Sequence, residues 1–250
     1  MKEQRNHSKV FRIDGVGVNL ERFHPVSEEE KSTLRQELGF SEKDFIITVV
    51  AELNKNKNQI KLVRAVPELS RAIPNLRILL IGKETLPDVR RLVEKENLGG
   101  TVEFLGYRRD VDNLTMISDI AFSASLREGL PVNIIEAMAC GLPVVASDNR
   151  GHRSLIKDKE TGFIFGQDSE KEMTGALVLL YKNPVLRAEM GRRNALEAVK
   201  YSVNIAVAKM AEIYGDVISS GNEGGGNTSR VVLVPASALS PCGVKAMEAA

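Results

Sequence analysis

"DFIITVVAELNKNKNQIKLVRAVPELSRAIPNLRILLIG", residues 44–82, decides the fold. It opens on "DFIITVVA" (44–51), a continuous β-branched run suited to a strand buried on both faces. Residues 58–72, "NQIKLVRAVPELSRA", read as a helix, and "NLRILLIG" (75–82) as a second buried strand. A strand, a helix and a strand joined by short loops make a right-handed crossover between parallel strands.

The same alternation continues toward the C-terminus. "LPDVRRLVEKENL" reads as a helix, "TVEFLG" as a strand, "DVDNLTMI" as a short helix and "DIAFSAS" as a strand. Pro131 to Cys140 reads as a helix, "PVVASD" and "TGFIF" as strands, and about 169–218 as helical. On the N-terminal side, Ser27 and Glu30 form a capping box ahead of "EEEKSTLRQEL", and Gly39 stops that helix. The expected fold class is α/β: a Rossmann-like parallel sheet of five or six strands with helices on both faces. Residues 1–25, with one short strand-like piece and the glycines of "DGVGVN", resemble a linker more than the start of a fold. Residues 26–200 form the expected domain, 201–218 a C-terminal helix, and 219–250 a disordered tail whose strand-like piece is "RVVLVP".

The chain has 250 residues, 43% hydrophobic and 27% charged, with a formal net charge of +1. That balance argues against a nucleic-acid partner held by bulk electrostatics. The two cysteines, Cys140 and Cys242, have no metal-like spacing, and Cys140 reads as a small buried residue. No apolar run reaches membrane-spanning length and "MKEQRNHSKV" is too polar for a signal peptide, so a cytoplasmic location is expected.

Chemistry concentrates in "SLREGLPVNIIEAMACGLPVVASD", residues 125–148. Glu128 and Glu136 stand with seven residues between them, and no lysine or arginine occurs from Gly129 to Asn149. The helix beginning beside Pro131 follows the strand "DIAFSAS" directly. Its N-terminus therefore lies at the carboxyl end of the sheet, where α/β folds bind ligands and where N–H groups suit a phosphate. For Glu128 a stabilising acid at a helix start and a functional carboxylate stand as evenly weighed readings. Glu136 has Val132, Asn133, Ala139 and Cys140 as its helical neighbours, so no ion pair is available on its own helix. Two readings stand for it, a solvated helix residue or an acceptor for ligand hydroxyls such as those of a ribose or sugar, and the second is favoured.

"EGLPVNIIEAMACGLPVVASD" resembles the signature of retaining GT-B glycosyltransferases, family four (glycosyl transferases group 1), in which Glu128 and Glu136 match the paired glutamates. Similarity extends over about 25–218: "VVAELNKNKNQIKLVRA" resembles the first strand, lysine loop and helix. "VEFLGYRRDVDNLTMISDIAFSAS", "ETGFIF" and "YSVNIAVAKMAEIYGDVI" resemble later family segments. The resemblance implies the C-terminal, nucleotide-sugar-binding half of a GT-B enzyme. Glu128 would meet hydroxyls of the transferred sugar and Glu136 the ribose. Backbone N–H groups of Gly129, Leu130, Val132 and Asn133 would face the diphosphate, Lys57 would pair with it, and Gly106 and Tyr107 would border the base. No cofactor or metal is implied. The donor is a nucleoside-diphosphate sugar, with a UDP-sugar first in line. The 201–218 helix would pack toward an N-terminal acceptor-binding domain, absent here or separately encoded. The acceptor is expected to belong to polysaccharide or glycoconjugate synthesis, and a lipid-linked acceptor would bring the protein to the inner face of a membrane.

Departures from the pattern bear on this. Glu52 stands where many relatives have an arginine, leaving Lys55 or Arg127 to assist Lys57. His7, His24 and His152 lie outside the motifs and read as structural or surface residues. Asp148 reads as a strand end. Competing functions are a non-catalytic nucleotide-sugar-binding subunit and another GT-B enzyme such as a sugar-nucleotide epimerase. A nicotinamide oxidoreductase is disfavoured, because no G-x-G-x-x-G follows a strand.

Overall fold

A computed structural model describes residues 10–13, 15, 17–222 and 232–235. They fall into two compact units, one from Leu20 to Val199 and one drawn from the two ends of the chain.

The larger unit begins with α1 (Glu28–Glu37), β2 (Phe45–Val50), α2 (Ile60–Ala72) and β3 (Leu76–Ile81), which follow the end unit's β1 (Val10–Ile13) in chain order. After these come α3 (Asp88–Lys95), β4 (Val102–Gly106), α4 (Val111–Met116), β5 (Ile120–Ser123) and α5 (Val132–Ala139). β6 (Val144–Ser147), α6 (Arg150–Leu155), β7 (Gly162–Phe165), α7 (Glu170–Lys182) and α8 (Pro184–Ala198) complete it. The sheet has six parallel strands in the order β4-β3-β2-β5-β6-β7, the doubly wound arrangement. Within "NQIKLVRAVPELSRA" the helix starts at Ile60 and carries the exposed Pro67 in its interior.

Alternate residues of β2 show why both faces must be covered. Phe45, Ile47 and Val49 join Leu62, Val66 and Leu69 of α2 and Leu177 and Leu180 of α7 in one buried cluster. Ile46 points the other way, to Leu79 and Ile81 of β3, Leu114 of α4 and Ile117. A strand apolar at every position can be satisfied only in this way. Buried Arg35 on α1 locks the amino ends of the central strands. Its guanidinium donates to the carbonyls of Ile117, Glu42 and Asp44 and to the Asp119 carboxylate at 2.9 Å, and that carboxylate also accepts from Ile46 N. At the carboxyl ends the backbones come close: a Cβ on Gly82, at φ +148°, would lie 2.1 Å from Ala51 O.

In the unit from the chain ends, β1 pairs in parallel with β8 (Val232–Pro235), and α9 (Val203–Asn222) follows a 3-10 turn at Val199–Tyr201. Val18 N donates to Tyr201 O at 2.8 Å and Val203 N to Val18 O at 2.9 Å. These pairings differ from the expected linker and tail. The helix runs past 218, and the two strand-like pieces pair with each other. Local reading sees each piece alone, because its partner lies at the opposite end of the chain. The other residues of the expected tail, and His7, lie outside the described residues.

Candidate functional site

The strand order reverses between β2 and β5, the kind of switch point at which open α/β sheets bind ligands in a crevice, and the loops leaving these two strands meet there. The β2 loop carries Lys57 and the β5 loop carries Glu128. Lys57 Nζ and Glu128 Oε1 are 2.6 Å apart, with the side chains 23% and 12% exposed. The loops are joined through their backbones: Leu126 N donates to Asn56 O at 2.8 Å, and Asn56 Nδ2 donates to Arg127 O at 3.1 Å. Lys57 N donates to Asn54 Oδ1 at 3.0 Å, which shapes the lysine turn. This corrects the reading of Glu128 as a helix-start acid. The first turn of α5 contains no acidic residue, and the carboxylate turns to Lys57, a cation supplied from elsewhere in the sequence.

α5 begins at Val132, with Pro131 as its flanking residue and no side chain capping it. Gly129 and Leu130 form the approach to it. Asn133 Nδ2 donates to Val50 O at 2.8 Å, so the first turn is tied to the carboxyl end of β2. The helix N-terminus is thereby held at the crevice beside the Lys57–Glu128 pair.

One turn further along α5, Glu136 is half-buried, and burial pushes its carboxyl from 4.5 up to about 7. The charges acting on it are Arg22, which favours ionisation, and Asp112, which opposes it. Arg22 Nε donates to Asp112 Oδ2 at 2.6 Å and its Nη2 to Asp112 Oδ1 at 3.1 Å and to Arg109 O. Glu136 therefore faces the segment that follows β4. Gly106, at φ +63°, ends β4, and Tyr107, 81% exposed, begins that segment. The structure rules out a fully solvated Glu136.

A buried polar layer supports the Glu128 turn. Ser125 O accepts from Ser147 Oγ at 2.6 Å and Asn149 Nδ2 at 2.9 Å, and Leu126 O accepts from Gln167 Nε2 at 3.0 Å. Gly151 lies directly against the turn; a Cβ there would be 2.6 Å from Glu128 Cβ. His152 has no exposed surface. Its Nδ1 lies 2.7 Å from Ser147 O and 2.8 Å from Asn149 Nδ2, and Nε2 is buried without a partner. Burial holds its pKa below the usual histidine range, against the Ser147 carbonyl and Glu128, while Lys57 acts in the same direction as burial. The structural reading of His152 stands, but it is a structural residue beneath the site. Among the departures, Glu52 is exposed and uses its backbone carbonyl to accept from Gln59 Nε2 at 2.9 Å; Lys55 and Arg127 are exposed on the two crevice loops. Asp148 directly follows Ser147, the last residue of β6, in line with its strand-end reading, and pairs with Arg153.

Arg22 and Gly151 gave no usable signal in sequence. The Asp112 partner of Arg22 is remote, and a glycine near a helix start shows no contact until the packing is known. Among the described residues no group of three or more His, Cys, Asp and Glu side chains is placed to hold a metal ion, and no helix is long and apolar enough to cross a membrane.

The model of the glycosyl transferases group 1 family matches residues 30–198, taking in both crevice loops, α5 and the polar layer. The chain belongs to this family. This glycosyl transferases group 1 chain is 38% identical over 212 residues to EpsD of Bacillus subtilis (strain 168), a protein named as a glycosyltransferase; the match takes in 84% of this chain and 56% of EpsD. The Anabaena Alr3699/HepE structure, in complex with UDP, superposes with a TM-score of 0.71 at 24% identity, over 80% of this chain and 56% of that one. The C-terminal domain of a glycosyl transferase group 1 family protein, LpcC of Francisella tularensis, superposes at 0.67 and 22% identity, over 75% of this chain and 100% of that domain. The glycosyl transferases group 1 chain spans about half the length of the curated relatives it matches. The six-strand sheet is thus the α/β, Rossmann-like architecture of these structures.

Proposed function

We propose that this chain is the donor-binding half of a retaining glycosyltransferase, taking a nucleoside-diphosphate sugar, with a UDP-sugar first in line. The observation that carries this is the meeting of Lys57 and Glu128 at the switch-point crevice, 2.6 Å apart beside the uncapped start of α5. Lys57 and the backbone N–H groups of Gly129, Leu130, Val132 and Asn133 suit a diphosphate, and Pro131 contributes no N–H. Glu128 is the acceptor for hydroxyls of the sugar, Glu136 for those of the ribose, and Gly106 and Tyr107 border the base. UDP bound to the Anabaena neighbour supports the choice of nucleotide.

In transfer the sugar's C1–oxygen bond to the diphosphate breaks, and the electron pair leaves with the phosphate oxygen. An acceptor hydroxyl oxygen forms the new bond, and its proton passes to the departing diphosphate oxygen. The charge growing on the leaving group is stabilised by the Lys57 ammonium and the α5 N-terminus, while Glu128 fixes the sugar's orientation. Transfer draws on an acceptor-binding half, whether on the same polypeptide or on a partner. The acceptor is a saccharide or glycoconjugate, including a lipid-linked one met at a membrane surface; no nucleic acid takes part. Calorimetry with UDP, GDP, ADP and their hexose conjugates tests the reading. One diphosphate series binds, and Glu136→Ala weakens it whether or not a sugar is attached. Unchanged affinity in a folded Glu136→Ala protein refutes the ribose assignment.

A further inference from the structure

Lys57 and Glu128 are assigned to different parts of one donor, yet in the free protein each is the other's partner. The contact is not a chance meeting of two mobile side chains. Backbone hydrogen bonds between Leu126 and Asn56, and the Asn56 amide on Arg127 O, hold both loops in place. Gly151 and the Ser147–Asn149 layer fix the Glu128 turn from beneath. A half-buried charge-assisted contact of this kind has a real cost of replacement.

The two forms of the nucleotide meet that cost differently. A nucleoside-diphosphate sugar brings phosphate oxygens to Lys57 and hydroxyl donors to Glu128, so both partners are re-satisfied. A free nucleoside diphosphate brings more negative charge on its terminal phosphate and no hydroxyl for Glu128. The carboxylate then either keeps its share of Lys57 or lies unpaired beside a like charge. Resting on the function proposed above, we propose that Glu128 is the residue by which the site tells loaded donor from spent nucleotide, through competition with the diphosphate for Lys57. Once the sugar has left, Glu128 loses its hydroxyl donors, takes Lys57 back and favours release of the diphosphate.

The inference predicts a gain where simple loss of a contact predicts none. Glu128→Gln keeps the shape of the side chain and removes its charge, so the full chain carrying it binds the free diphosphate about tenfold more tightly, one decade being the smaller end expected for a hydrogen bond to a charged group. The preference for the sugar conjugate over the free diphosphate shrinks accordingly. On a Lys57→Met background the gain disappears, because the competition needs the ammonium. Isothermal calorimetry with UDP, GDP and ADP, each beside its hexose conjugate, reads all of these. A Glu128→Gln protein that melts like the wild type and binds the free diphosphate no more tightly overturns the inference and leaves the donor-site reading intact. A wild-type chain that binds none of the six compounds overturns both. Should Glu128→Gln not fold, Glu128→Asp, which retracts the carboxylate by one methylene, gives the same gain at smaller size; no gain there overturns the inference equally.

Discussion

Replacing Glu136 by glutamine should make the protein more stable, and only above acidic pH. The carboxyl sits half-buried on α5, where burial outweighs the attraction of Arg22 and pushes it from 4.5 up to about 7. The native state therefore holds this proton over a range in which the unfolded chain has released it, so unfolding releases a proton and native stability falls as pH rises from 4.5 to about 7. Above that range the full penalty, roughly 3 kcal/mol for a gap of this size, is in force. At pH 5 less than about 1 kcal/mol of it is present, so the difference between pH 5 and pH 8 is about 2 kcal/mol. Glutamine keeps the shape and cannot ionise. Urea unfolding followed by far-UV circular dichroism should show Glu136→Gln near the wild type at pH 5, and about 1 M higher in midpoint at pH 8, from urea slopes of about 1–3 kcal/mol per M. A variant no more stable than wild type at pH 8 refutes the argument, because it would mean that the native carboxylate is already fully compensated by Arg22 and the helix.

Other substitutions test the neighbouring packing. Gly151→Ala places a methyl group 2.6 Å from Glu128 Cβ and 2.8 Å from its backbone carbonyl, so the turn must move. A loss of about 1–3 kcal/mol and weaker binding of the sugar conjugate are expected, by thermal melt and calorimetry; wild-type values in both would exclude the contact. Burial pushes the Cys140 thiol up to about 12, helped by the charges of Glu136 and Asp112. At pH 8 it should resist a thiol reagent until denaturant is added, read by mass spectrometry of its peptide; rapid native labelling would contradict its burial.

The α/β class was legible from 44–82 because an uninterrupted apolar strand has one physical solution, a parallel sheet with helices on both faces. Glu136 was legible as well. Helical spacing alone shows that it has no cation on its own helix, and no packing arrangement alters that. Glu128 was legible as a candidate site residue only through the motif around it, and the alternative of a helix-start acid did not survive folding. Its carboxylate is directed by a lysine on another strand's loop, and no window of sequence contains both.

His152 shows the same limit from the other side. Lone histidines carry no local signal, and this one acquires its position from Ser147 and Asn149 at the carboxyl end of β6. The sequence by itself determined the six sheet strands and the helices between them apart from α6 (Arg150–Leu155), the placement of a helix N-terminus after β5 and the oddity of Glu136, because periodicity, capping and spacing act over a few residues. Only the tertiary structure decided the strand order, the switch point, the pairing of Lys57 with Glu128, the pairing of Arg22 with Asp112 and the parallel meeting of the chain's two ends. Each of these is a contact between segments far apart in the chain, set by how the sheet assembles.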